Sequence, residues 1–217
     1  MKFRPLMALI LTIMASCSGN KSTERNAMED LISGNERFIT GHPLHPNETL
    51  LRMRNLKKGQ EPFVVLVSCS DSRVPPELIF DQGLGDIFSV RTAGNVIGDY
   101  ELGSIEYAVE HLGCKLVVVM GHQECGAVKA YLQYKDHYEH HDHIKHIVDY
   151  MGFLRDSTQK IHPDSMTTNQ AVEMNIRHGV SILKTSEPLL KNLNEMGELK
   201  IIGALYELET GTVKFFN

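Results

Sequence analysis

The chain predicts an α/β fold: a mostly parallel central β-sheet flanked by helices, with a C-terminal antiparallel edge strand. Two observations carry this. Short runs of β-forming apolar residues alternate along the chain with stretches of helical periodicity, the order expected when helices cross over between parallel strands. The apolar runs are also continuous rather than alternating, which marks strands buried on both faces.

The elements follow in order. Met28, Leu31, Ile32 and Phe38 line one face of a helix starting at Ala27, with Gly34 weakening its middle, and a second helical stretch covers Glu48 to Lys57. Phe63 to Val67 reads as a buried strand and Ile87 to Val90 as the next. Ile105, Ala108, Val109 and Leu112 form a helical stripe that Gly113 stops. Leu116 to Met120 is a third strand, Gln170 to Met196 a long helical region, and Leu199 to Tyr206 a fourth strand. Thr210 and Gly211 then turn the chain into Thr212 to Phe216, the antiparallel edge.

With 217 residues, 42% hydrophobic and 23% charged, the chain suits one globular domain with a real core, and no internal repeat or second domain is visible. The formal charge of -5 argues against a nonspecific nucleic-acid binder, which needs a basic surface to displace counterions from phosphates. Residues 1–16 read as a signal peptide: Lys2 and Arg4 precede an apolar run from Leu6 to Met14, too short to span a bilayer comfortably. Ala15, Ser16 and Cys17 resemble a lipoprotein signal cut before an acylated Cys17, although Met14 is atypical there; simple secretion is the alternative. Residues 17–26 then form a polar tether, residues 27–217 the folded domain, and the expected address is extracytoplasmic, as a periplasmic lipoprotein on a bacterial membrane.

The chemistry gathers where strands end. The first strand runs into Cys69, Ser70, Asp71, Ser72 and Arg73, so Cys69, Asp71 and Arg73 share a side if the extended geometry persists. The third strand runs into Gly121, His122, Gln123, Glu124 and Cys125. The carboxyl edge of a parallel sheet is where ligands bind. Cys69, His122 and Cys125 supply two thiolates and an imidazole, and three protein ligands leave zinc a fourth position for water. Zinc lowers the pKa of such a water from about 15.7 toward about 7, making a hydroxide nucleophile. Asp71 can orient that nucleophile, or swing onto the metal as a fourth ligand in a closed state; a guanidinium at Arg73 holding both its oxygens keeps it ionised and away. On residues alone, a Cys69–Cys125 disulfide competes with the metal in an exported chain.

Cys-Ser-Asp-Ser-Arg-Val at 69–74, Arg-Thr-Ala-Gly-Asn at 91–95 and Gly-His-x-x-Cys-Gly at 121–126 resemble the motif set of the β-class carbonic anhydrases, over a span from about Ala27 to the end. The resemblance implies zinc on Cys69, His122 and Cys125, a catalytic dyad of Asp71 and Arg73, and reversible hydration of carbon dioxide to bicarbonate and a proton. It implies that Gln60 contributes to the substrate pocket, as in the plant-like branch. The other branch uses a Trp in a regulatory bicarbonate site, and this chain has no Trp. It further implies a homodimer or tetramer with each active site at a subunit interface.

Three features stand beside that reading. Cys114 begins a buried strand and reads as a small core residue. Arg91, Gly94 and Asn95 can be only a strand exit and turn, while the resemblance implies that they help shape the active site without a chemical role of their own. His137, His140, His141, His143 and His146 read as a solvated insertion, with a metal-collecting surface as the sharper alternative. Related scaffolds turned to carbon disulfide or carbonyl sulfide, or a noncatalytic zinc-binding lipoprotein, are the competing functions.

Overall fold

The computed structural model describes residues 26–134, 142–155 and 166–216. Strands β1 (Val64–Cys69), β2 (Ile87–Thr92), β3 (Leu116–His122), β4 (Lys200–Tyr206) and β5 (Val213–Phe216) form one sheet in the order β2-β1-β3-β4-β5. The first four are parallel and β5 returns antiparallel along β4, as the sequence predicts. Eight helices lie among the described residues: α1 (Ala27–Ile39), α2 (Leu50–Asn55), α3 (Pro76–Ile79), α4 (Asp99–Leu112), α5 (Gly126–Tyr134), α6 (Ile144–Tyr150), α7 (Thr168–Thr185) and α8 (Leu189–Glu195).

The continuous apolar runs occupy the middle of the sheet. Val64 to Val67 on β1 and Val117 to Val119 on β3 are fully buried, each worth about 1.5–3 kcal/mol relative to an exposed side chain. Both strands extend beyond the apolar run, β1 to Cys69 and β3 to His122, so two of the metal-ligand candidates are strand residues with fixed backbones. This is the central correction to the expected boundaries, and it follows from backbone pairing: Cys69 sits opposite Thr92 and His122 opposite Tyr206.

Other differences have local causes. The helical region expected over 170–196 is two helices, because Pro188 has no N–H to donate and disfavours helical geometry at Glu187. The first of them starts on a capping box, with Thr167 and Gln170 exchanging side-chain and backbone hydrogen bonds. Helix α4 begins at Asp99, before the apolar stripe, and its first turn carries Asp99 and Glu101 where acidic groups favour the helix dipole. Gly34 is a packing requirement as well as a weak helix former: a Cβ there would lie 1.8 Å from the Phe80 carbonyl oxygen. Cys114 is buried and its thiol donates to the Pro62 carbonyl at 3.1 Å, a core role as expected.

Candidate active site

The carboxyl ends of β1, β2 and β3 converge with the loop that opens α5. Cys69 ends β1, His122 ends β3, and Cys125 immediately precedes α5, whose Ala127 and Val128 amides point back at its sulfur. The three are almost fully buried, and their candidate ligand atoms all lie within 4.8 Å of one another. Among the described residues no other three metal-ligating side chains come together in this way.

The donor set fits a single zinc ion. The Cys69 and Cys125 sulfurs are 4.0 Å apart, far beyond the roughly 2.05 Å of a disulfide. Two thiolates bound tetrahedrally at about 2.3 Å from one ion would stand roughly 3.8 Å apart. His122 Nδ1 lies 2.8 Å from the Gln123 carbonyl; since a carbonyl can only accept, Nδ1 carries the proton and Nε2 is left as a lone-pair donor. That Nε2 is buried and makes no hydrogen bond, a costly state that a metal relieves. Gln123 is itself held, its amide donating to Tyr206 at the end of β4.

The thiol pair is also electrostatically prepared. A hydrogen bond from Cys125 pulls the Cys69 thiol well below its usual range, with help from the Asp71 and Gly94 amides, against the effect of burial. Cys125 is driven upward by the negative Cys69 beside it and by burial. A divalent cation held by both sulfurs would take each as a thiolate, so its binding would release protons.

Asp71 and Arg73 meet here, but not along an extended strand. The backbone leaves the strand after Cys69 and turns, with the Val74 amide donating to the Asp71 carbonyl. Through that turn the Arg73 amide and Nε donate to Asp71 Oδ1, each at 2.9 Å, and a terminal nitrogen donates to Oδ2 at 2.7 Å. These bonds hold the Asp71 carboxyl well below the usual carboxylate range. Its Oδ2 lies 3.9 Å from His122 Nε2, so an ionised carboxylate borders the position a metal would take.

Arg91 does more than mark a strand exit. Its Nε donates to the Cys69 carbonyl at 3.0 Å and a terminal nitrogen to the Asp71 carbonyl at 2.8 Å, so it clamps the loop that bears both groups. Sequence periodicity gave no sign of this, because the partners are backbone carbonyls at the end of the neighbouring strand and in the turn that follows it. Gln60 lies elsewhere within one chain, on the exposed loop before β1, while Cys69 is at the far end of that strand, which spans roughly 16 Å. His143 and His146 stand exposed with ring centroids 6.1 Å apart and do not join the site. His137, His140, His141 and Cys17 lie outside the described residues.

A buried thiolate, imidazole and thiolate beside an ionised carboxylate, at the carboxyl edge of a parallel sheet, belong to an enzyme that activates a small nucleophile on one metal ion. Known proteins agree. A family model described as carbonic anhydrase matches residues 64–213. Carbonic anhydrase 2 of Mycobacterium tuberculosis is 38% identical over 193 residues, covering 85% of this chain and 89% of that protein. The carbonic anhydrase of Mycolicibacterium smegmatis is 38% identical over 196 residues, covering 87% and 91%. Among solved structures, the β-carbonic anhydrase CafA of Aspergillus fumigatus superposes with a TM-score of 0.65 at 30% identity, covering 76% of this chain and 80% of that one. The β-carbonic anhydrase CcaA gives 0.67 at 28% identity, covering 88% and 95%. The chain belongs to the carbonic anhydrase family, in its β class. It is a carbonate dehydratase, its reaction the reversible hydration of carbon dioxide, its cofactor zinc.

Proposed function

We propose that Asp71 orients the attacking water during carbon dioxide hydration and that Arg73 keeps it in that role. The observation that carries this reading is the three-bond grip of Arg73 on Asp71, beside the orphan Nε2 of His122. Cys69, His122 and Cys125 would hold the zinc, which would supply the Lewis acidity that makes water nucleophilic near neutral pH. The rest is done by the chain. Asp71, kept ionised, can only accept, so it takes a hydrogen bond from the nucleophile's O–H and turns the remaining lone pair toward the substrate carbon. Arg73 occupies both Asp71 oxygens, which opposes their moving onto the metal as a fourth ligand. A terminal nitrogen of Arg73 also reaches the Glu124 carbonyl at 3.4 Å, tying the Asp71 turn to the loop that carries Cys125.

The working unit in this proposal is an oligomer, a homodimer or tetramer. Leu44, Leu50, Leu51 and Met53 are more than half exposed on the arm between α1 and β1, an apolar surface that a second copy would cover. Gln60 ends that arm, so its contribution to a substrate pocket would be made to a neighbouring subunit. Residues 1–26 are proposed to deliver the enzyme outside the cytoplasm on a lipid carried by Cys17, a reading supported by the basic start, apolar run and small residues before that Cys. Among the described residues no helix is long and apolar enough to cross a membrane.

Stopped-flow carbon dioxide hydration with zinc measured on the same sample tests the dyad. The expected result is activity in the wild type and a large loss in Asp71→Asn at unchanged zinc content. Equal activity in Asp71→Asn would remove Asp71 from the reaction.

A further inference from the structure

Cys69 is steadied by more than the metal its thiolate would bind. Its sulfur accepts the Gly94 amide at 3.3 Å and the Asp71 amide at 3.4 Å. Hydrogen bonds to a ligand sulfur draw charge from it and fix its direction, so they act on the metal without touching it. The Gly94 amide is aimed by a turn of unusual geometry. Gly94 has φ of +70°, and a Cβ there would meet Met151 Cε at 2.5 Å and Ala127 Cβ at 2.9 Å.

A second group grips that turn from the far side. Asn175, buried on α7, donates its side-chain amide to the Gly94 carbonyl at 2.8 Å across 81 residues of sequence. Helix α7 is itself held close to the sheet. Ile176, the next residue, packs into the space left by Gly121 on β3 and Gly203 on β4, and Gly179 lies against Val119 and Ile97. Asn175 therefore arrives at Gly94 from a rigid support.

We propose that Asn175 is a positioning residue of the metal centre, setting through the Gly94 turn the hydrogen bond received by the Cys69 sulfur. The inference rests on the assignment of Cys69, His122 and Cys125 as the zinc ligands.

The test uses the purified protein with Asn175→Leu, which removes the donor, and Asn175→Asp, which keeps the shape and replaces the amide donor. Leu183→Ala is the control: it disturbs the packing of the same helix two turns away, without a bond to Gly94. Two readouts are taken, the sulfur-to-metal charge-transfer band of the cobalt(II)-substituted protein and the zinc affinity measured by chelator competition. Both Asn175 variants are expected to move the band and to weaken zinc by about 10- to 100-fold, while Leu183→Ala lowers Tm and leaves both readouts unchanged. An Asn175 variant with the wild-type cobalt band and wild-type zinc affinity would overturn the inference, whatever its Tm. If Asn175→Leu does not fold, the isosteric Asn175→Asp decides by the same two readouts. A wild type that shows no sulfur-to-cobalt band would instead overturn the ligand assignment on which the inference stands.

Discussion

Asp71 and Arg73 are two positions apart, yet three hydrogen bonds join them, one from the Arg73 backbone and two from its guanidinium, all to a single carboxylate. The backbone bond ties one carboxylate oxygen to the turn, and the guanidinium bonds hold both oxygens. A lysine could supply charge at position 73 but not the fork.

Arg73→Ala removes two of those three bonds and leaves Asp71 Oδ2 unheld, and kcat for carbon dioxide hydration should fall by about 100-fold or more, as for the loss of a positioned proton-handling group. Stability gives an independent check. The folded pKa of Asp71 lies below its unfolded value of about 3.9, so its stabilising contribution is present above that pH and is lost as pH falls through the folded pKa. The gap in denaturation midpoint between wild type and Arg73→Ala should be open at neutral pH and close progressively below about pH 4.

Removal of a ligand should abolish metal binding as well as turnover. Cys69→Ala and His122→Ala are each expected to lose zinc during dialysis against a mild chelator that leaves the wild type with about one ion per chain, as elemental analysis would show. Retention of stoichiometric zinc by both variants would place the ion elsewhere.

Gly94→Ala should destabilise the fold by about 1–3 kcal/mol, because the added carbon strains a left-handed backbone and collides with Met151 and Ala127. Urea denaturation of the variant measures this directly.

Charge on the exposed arm should break the proposed oligomer. Leu50→Glu combined with Leu51→Glu is expected to shift the protein to monomer in analytical ultracentrifugation and to lower hydration activity, with little change in the far-ultraviolet circular dichroism of the domain.

The parts of this molecule that could be read in advance are those in which one stretch of chain declares its own environment. Val64 to Val67 and Leu116 to Met120 are apolar throughout because both faces of their strands are covered, and the three candidate ligands follow within a few residues of those runs. The turn at Asp71 was not visible, because the alternate spacing of Cys69, Asp71 and Arg73 is equally compatible with an extended strand. Helix α5 was hidden for a similar reason, since Gly126 at its start reads as loop and only nine residues follow the helical pattern. Arg91 stands in a recognisable motif but its clamp is not legible there, and Asn175 carries no local signal at all. Their partners are backbone carbonyls 20 and 22 residues away for Arg91 and 81 away for Asn175, and only the folded sheet brings them together.

Cys69 and His122 end the neighbouring strands β1 and β3, and Cys125, in the loop three residues beyond His122, lies 56 positions along the chain from Cys69. An ion shared among them closes that segment into a ring and laces neighbouring strands together at one edge, much as a crosslink would, and the denatured chain loses freedom in proportion to the logarithm of the ring's length. The zinc that serves the reaction is thus also a fastener of the fold, so that starving the protein of metal would loosen its architecture along with its chemistry.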